Sequence, residues 1–393
     1  MYEFYETEQT DFEKICDANN LIQSYKLTSK ESKWKESVQK YGVNLLKNIR
    51  ETQIKLQEEN YKQKPFKEFV QRERGKERNI RAMHISDRVV QRVVCDYVLI
   101  PKLTPYLIYD NGASLKNKGV DFTRDRLITH LEKYYRKYGN EGYILQIDFK
   151  GYFDSIPHPQ LLETISKHVT DEKALRLITQ MIESFGEQSV GIGSQISQIC
   201  GVYYATPIDN YCKLVRQCKY YARYNDDIYV IHPDKEYLRE LLTEITKIAD
   251  SLGLVIHPKK THIVKLSHGF TFMQIKYNML EDGRILKRIN RPKVVRERRK
   301  LKKYQGKLRD GIMQYKDIEN AYQSWKGNAE KYDCKITLKH MNKLYDDLFI
   351  IPWINGEEDW FKDNKANVKR KKGKGGRYKP QKTVNDSKSE TEQ

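Results

Sequence analysis

Residues 223–231 read RYNDDIYVI, and residues 143–149 read YILQIDF. In the first, two flanks of β-formers surround an Asn-Asp-Asp centre. That pattern predicts a hairpin with Asn225, Asp226 and Asp227 at its tip. In the second, apolar and polar residues alternate as far as Asp148, which predicts a strand with a carboxylate at its end. Adjacent aspartates at a turn ordinarily serve the local backbone. Taken together, the two segments predict three acidic side chains brought to one place. Gathering like charges is costly without a cation between them. Phosphoryl transfer to a nucleotide needs two Mg²⁺ about 3.5–4 Å apart, and Mg²⁺ takes hard oxygen ligands while keeping several waters.

Outward from these segments, strands and helices mix without a regular βαβ repeat, which predicts an α+β fold. Residues 1 to about 65 read as helical, with apolar positions at Leu45, Leu46, Ile49 and Ile54 and no proline until Pro65. Residues 66–82 read as a short hairpin with a charged tip at Arg74-Gly75-Lys76. SDRVVQRVVCDYVLI (86–100) predicts a helix capped by Ser86, with Val89, Val90, Val93, Val94 and Tyr97 on one stripe. Residues 121–138 predict a basic amphipathic helix. Further helices are expected at about 158–168, 171–185, 197–216 and 235–252, and further strands in GLVIHPKKTHIV (253–264) and GFTFMQIKY (269–277). KRINRPKVVRERRKLKK (287–303) holds ten basic residues and one acid, Glu297. Beyond it Ile318, Ala321, Tyr322 and Trp325 share a helical face. No internal repeat is visible.

The 393 residues carry a formal net charge of +19. The tail from residue 362 supplies +7, with eleven basic and four acidic side chains, and its composition predicts disorder. The other +12 lies in the folded part, so a polyanionic partner is the first expectation. The 28 tyrosines, mixed with Lys and Arg, suit base stacking beside phosphate neutralisation. No run approaches the roughly 20 apolar residues of a membrane span, and the acidic N-terminus lacks the pattern of a signal peptide. Six scattered cysteines without a CxxC pair fit free thiols in a reducing cytoplasm.

IDFKGYFDSIPH (147–158), GIGSQISQICGVYYATPIDNY (191–211) and RYNDDIYVI, in that order, resemble the palm motifs of reverse transcriptases. GKERNIRAMHISDRVVQRVV (75–94) and NGASLKNKG (111–119) resemble that family's fingers motifs, and LGLVIHPKKT (252–261) and FTFMQIKY (270–277) its last palm motifs. The ordered co-occurrence carries the resemblance, since each segment alone is weak. It covers about residues 40–350. The pattern at 192–198, Ile-Gly then three residues to Ser-Gln, is most similar to bacterial enzymes: diversity-generating retroelement, retron-type or defence-associated reverse transcriptases.

The resemblance implies a right-hand polymerase: an N-terminal helical region (1–65), fingers (66–140, with a palm helix at about 86–98), palm (141–280), helical thumb (281–350) and a basic tail (351–393). It implies RNA-directed DNA synthesis with two Mg²⁺, Mn²⁺ being able to substitute, held by Asp148, Asp226, Asp227 and the carbonyl of Phe149. Phe153 would be the aromatic steric gate that excludes a ribose 2′-hydroxyl. Lys76 and Arg78 would clamp the dNTP triphosphate, and Gly193 would let the backbone approach the base pair. Ser197 and Gln198 would start a helix against the template. Arg288, Arg291, Lys293 and Arg296 would track template and primer backbone. Lys259 or Lys260 could aid the leaving pyrophosphate, against the plainer reading of a solvated lysine. The implied partners are an RNA template, a DNA or RNA primer and dNTPs; many relatives bind a dedicated structured non-coding RNA, some need a small accessory protein, and no membrane is involved.

Several positions depart from the family pattern. Asn225 fills a slot more often held by Ala, Val or Met. Ile192 stands where retroviral relatives carry Gln. No proline occurs in Val190-Gly191-Ile192-Gly193, and Met273-Gln274 replaces Leu-Gly near the primer grip. Two other functions compete. An RNA-dependent RNA polymerase could use Asp154 to address a ribose hydroxyl, but Phe153 stands against it. A non-catalytic RNA-binding protein of polymerase fold would have no use for three clustered acids, which would be destabilising.

Overall fold

A computed structural model describes residues 8–73, 76–191 and 193–359. The side chains of Glu73, Lys76, Arg78 and Asn79 are outside the described set, as are Arg74-Gly75, Ile192 and the tail from residue 360. The chain divides into two units, Met1–Met273 with Tyr277–Ile285, and Gln274–Lys276 with Leu286–Gln393.

In the first unit, helices Asp11–Cys16, Ala18–Ser29, Glu36–Val43 and Leu45–Gln57 form the N-terminal region. The last of these turns Ile49, Thr52 and Leu56 inward and leaves Leu46 and Ile54 exposed, which corrects the expected face. Strands β1 (Lys67–Glu73) and β2 (Lys76–Ala82) pair antiparallel as a two-stranded sheet of their own. The helix that follows runs Ile85–Val94 and is capped by His84, whose Nδ1 accepts from Ser86 N; Ser86 lies inside the first turn and is not the cap. Its Val89, Val90, Val93 and Val94 are fully buried, each contributing about 1.5–3 kcal/mol relative to exposure.

The central sheet contains β3 (Tyr143–Ile147), β4 (Tyr221–Tyr224), β5 (Asp227–His232) and β6 (His262–Lys265), in the order β4-β5-β3-β6 and antiparallel throughout. Helix Lys235–Ser251 buries Leu238, Leu241, Ile245 and Ala249, a 3.6-period stripe. Helices His158–Ser166, Glu172–Glu183 and Gln195–Tyr204 complete the core. The expected helix over 197–216 begins earlier, at Gln195 behind its Ser194 cap. It breaks at Ala205 before Thr206–Asn210 and ends in a π turn, Tyr211–Val215. Of the expected strand over 253–264 only the end forms, as β6 from His262; before it Gly253 takes φ +70°, Pro258 cannot donate to a ladder, and Ile256 makes an isolated bridge to Phe149.

Three further strands, β7 (Phe270–Phe272), β8 (Ile275–Met279) and β9 (Ile285–Ile289), form a separate sheet. The β7–β8 loop is Met273-Gln274, with φ of 45° and 68°. Both values lie where a hairpin of this length favours Gly or Asn, so the departure from the family pattern falls on a strained turn.

In the second unit, helices Arg291–Arg309, Tyr315–Ala329 and Lys335–Tyr345 share a core of Leu301, Leu308, Ile318, Tyr322, Met341, Tyr345 and Phe349. Tyr322 stacks on Tyr345 at 4.4 Å. Ile318 and Tyr322 face inward as the periodicity predicts, while Ala321 and Trp325 are only partly covered.

Candidate active site

Strand register brings the two opening segments together. Ile147 pairs with Ile228, so the next step along each strand sets Asp148 beside Asp227. Tyr224 pairs with Asp227 across β4 and β5, which leaves Asn225 and Asp226 as a two-residue loop. Asn225 adopts φ +51°. Asn tolerates the left-handed region better than Ala, Val or Met would.

The electrostatics match this placement. Burial pushes the Asp227 carboxyl up to about 7, and the charges of Asp226 and Asp148 add to the effect while Lys260 opposes it. Asp148 is largely covered, and Lys260 Nζ donates to both of its oxygens, at 2.7 and 2.9 Å. Lys260 is thus a counter-ion of the acidic corner and not a bystander. Its loop is held by His257 N donating to Asp148 O (2.8 Å) and Lys150 N to Val255 O (2.8 Å). Among the described residues no three His, Cys, Asp or Glu side chains stand closed around a single ion position. The three aspartates nevertheless offer the hard oxygen donors that Mg²⁺ takes, and an ammonium group already neutralises one of them.

Behind the hairpin lies a group that sequence reasoning missed. Arg223, fully buried on β4, forks onto Asp209, itself fully buried, with Nε to Oδ1 at 2.9 Å and Nη2 to Oδ2 at 2.6 Å. Arg223 also donates to Val202 O (2.7 Å) and to Asn225 O (3.2 Å) in the hairpin loop. Tyr221 Oη donates to Asp209 Oδ1 at 2.6 Å. Burial alone would lower the Arg223 pKa, but Asp209 outweighs it and the net shift is upward. The outer edge of β4 is covered as well: Arg223 N donates to Asp110 O and Gly112 N to Arg223 O. An arginine inside an otherwise apolar strand was the available signal, because a buried guanidinium demands a carboxylate partner.

The other expected residues are placed as follows. Phe149 is buried beside Asp148. Phe153 is half-buried in the short helix Tyr152–Ser155. Gly193 is exposed at φ +96° with open space beside it. Gln198 is exposed on helix Gln195–Tyr204. Ser197 is buried, its hydroxyl donating to Val190 O and lying against Ser194 Oγ. It ties Val190 to the first turn of this helix. Lys76 and Arg78 lie on β2, with side chains outside the described residues. In the second unit Arg288, Arg291 and Arg296 are exposed and Lys293 is partly covered. Glu297, the one acid of the basic run, is buried beside Lys300.

An α+β chain whose antiparallel sheet carries a strand-end aspartate beside an Asp-Asp hairpin has the fold class of the right-hand polymerases. The chain belongs to the reverse transcriptase (RNA-dependent DNA polymerase) family, which matches residues 62–277, more than half of its length.

Solved structures similar to it include telomerase from Candida albicans in complex with a TWJ fragment of telomeric RNA, at 14% identity and TM-score 0.45, covering 58% of this chain and 46% of that one. Apo telomerase from Candida tropicalis matches at 16% identity and TM-score 0.43, covering 56% and 48%. A form of it truncated from the C-terminal domain matches at 17% and 0.42, covering 56% and 54%. This chain therefore spans about half the length of these proteins. A comparison with curated proteins returns no match. Among the described residues no helix is long and apolar enough to cross a membrane.

Proposed function

We propose that this chain extends a DNA or RNA primer with dNTPs on an RNA template, using Asp148, Asp226 and Asp227, with the Phe149 carbonyl, to hold two Mg²⁺. The observation that carries the reading is the register that sets Asp148 beside the Asp226-Asp227 hairpin, together with the upward shift those charges impose on Asp227. When bound, the ions neutralise the acidic corner and polarise the reacting phosphate. The protein supplies position. Arg223 and Asp209 hold the hairpin from behind, and Lys260 balances Asp148 until cations take over that role. Phe153 blocks a 2′-hydroxyl, Lys76 and Arg78 serve as the triphosphate's counter-charges, Gly193 leaves room for the base pair, and Gln198 contacts the template. Arg288, Arg291, Lys293 and Arg296 neutralise phosphates of the duplex. In this scheme 66–140 are fingers, 141–280 palm and 281–350 thumb.

The pattern at 192–198 supports a cytoplasmic role in a bacterial retroelement or antiphage defence system, with a structured RNA or a small protein as partner. Sequencing the nucleic acid that co-purifies with the protein tests that setting. The chemistry is tested by Asp226→Asn and Asp227→Asn. Each should reduce Mg²⁺-dependent dNTP incorporation by on the order of a thousandfold or more while RNA binding persists. Full retained synthesis would remove the mechanism. Running dNTPs against rNTPs in the same assay separates DNA from RNA synthesis.

A further inference from the structure

Helix Gln195–Tyr204 contains one glycine, Gly201, and it is buried. Its backbone is not in the left-handed region, so the conformation does not require glycine. Glycine is the poorest helix former after proline, so a reason must lie in the space around it. A Cβ at Gly201 would stand 2.6 Å from Cε1 of Phe153, 3.2 Å from its Cδ1 and 3.3 Å from its Cζ. The Phe153 ring therefore rests on the bare backbone of this helix.

The rest of the Phe153 surroundings is fixed. Tyr152 Oη donates to Gly201 O at 2.5 Å, and the Tyr152 ring meets Phe153 edge-on at 5.4 Å and 83°. Val190 N donates to Phe153 O at 3.1 Å. The backbone and one flank of the half-buried ring are thus held, and the helix stands behind it.

We infer that Gly201 is a positioning residue for sugar selection: it seats the Phe153 ring far enough back to admit a deoxyribose while keeping out a 2′-hydroxyl. The inference rests on the proposed gate role of Phe153 and extends it to a residue on another element. A methyl group at 201 pushes the ring forward into the sugar space, because close-packed interiors do not absorb an added carbon without movement.

The test is single-nucleotide incorporation on an RNA template by Gly201→Ala, Phe153→Leu and the double variant, with dNTP and rNTP. Gly201→Ala should raise the KM for dNTP about tenfold with kcat within about threefold, and should incorporate rNTP still less. Phe153→Leu alone should relax the exclusion of rNTP. Added to Gly201→Ala, it should bring the dNTP KM back to within about threefold of Phe153→Leu alone, because the crowded ring is gone. A purely structural effect on the helix would not be rescued this way, and alanine is the better helix former. An unchanged KM in Gly201→Ala, or no rescue in the double variant, overturns the inference. Where Phe153→Leu relaxes exclusion but Gly201→Ala leaves KM unchanged, only Gly201 loses its role. Where Phe153→Leu leaves exclusion intact, the gate itself is wrong and the inference falls with it.

Discussion

The first unit contains two antiparallel hairpins of similar design and opposite setting. β4–β5 is embedded: β5 lies between β4 and β3, Tyr221, Ala222 and Ile228 to Ile231 are buried, and the outer edge of β4 is capped by residues 110–112. β1–β2 is a two-stranded sheet with Phe69 and Val70 exposed, and its cross-strand pairs Arg72–Glu77 and Arg81–Glu68 lie on the surface. It is fastened at its root, where Arg81 donates to Phe185 O and Phe66 stacks on Phe185 at 5.3 Å. A buried hairpin can hold charges at set positions against their mutual repulsion. Among the described residues, the flanks of β1–β2 have no comparable burial. The difference follows from what surrounds each strand pair, since both share the same local pattern of β-formers around a charged tip.

The comparison breaks first at Arg223. Arg223→Met leaves Asp209 buried without its partner and should cost about 3–5 kcal/mol of stability in a urea titration. Arg72→Ala on the exposed hairpin should cost less than about 1 kcal/mol. Equal losses would show that the two hairpins are not differently held.

His130, on the helix Val120–Tyr138 that packs against β4 and β5, sharpens the same contrast. It is buried, with Nδ1 against Tyr229 Oη (2.9 Å), Nε2 near Arg126, and Asp110 close by. Burial pushes its pKa down to about 4 against the pull of Asp110, with Arg126, Lys213 and Lys133 adding to the drop. The unfolded chain takes up that proton near the ordinary value, so this stability is complete above about pH 6.5 and lost as the pH falls toward 4. His130→Gln should flatten the fall in Tm between pH 6.5 and 4.5, which would otherwise correspond to about 2 kcal/mol. An unchanged profile would mean that the acid sensitivity arises elsewhere.

The smallest effects belong to the exposed basic residues of the second unit. Replacing Arg288, Arg291 or Arg296 singly by Ala should reduce the slope of log affinity against log salt by about 0.7 for single-stranded RNA. A slope unmoved by all three would place the nucleic acid elsewhere.

Much of this was legible in the sequence, for a physical reason. The alternation into Asp148 and the β-rich flanks of Asn225-Asp226-Asp227 are local patterns with a period of two, and pairing register does the rest. The valine stripe of 85–94 and the face carrying Ile318 and Tyr322 were readable by the same logic at a period of 3.6. What stayed hidden depends on partners far along the chain. Lys260 finds Asp148 through an irregular loop, and Arg223 finds Asp209 across the π turn and the loop that lead into β4. Of the strand expected at 253–264, the part before His262 failed because Gly253 and Pro258 outweigh the β-formers between them.

The central claim is that Asp148, Asp226 and Asp227 together hold divalent ions. Titrating the protein with Mn²⁺ and following the free ion by electron paramagnetic resonance measures this without catalysis. The account predicts saturable binding to the unaltered chain that weakens at least about tenfold in Asp148→Asn and in Asp227→Asn alike. Equal Mn²⁺ binding by all three proteins would contradict it.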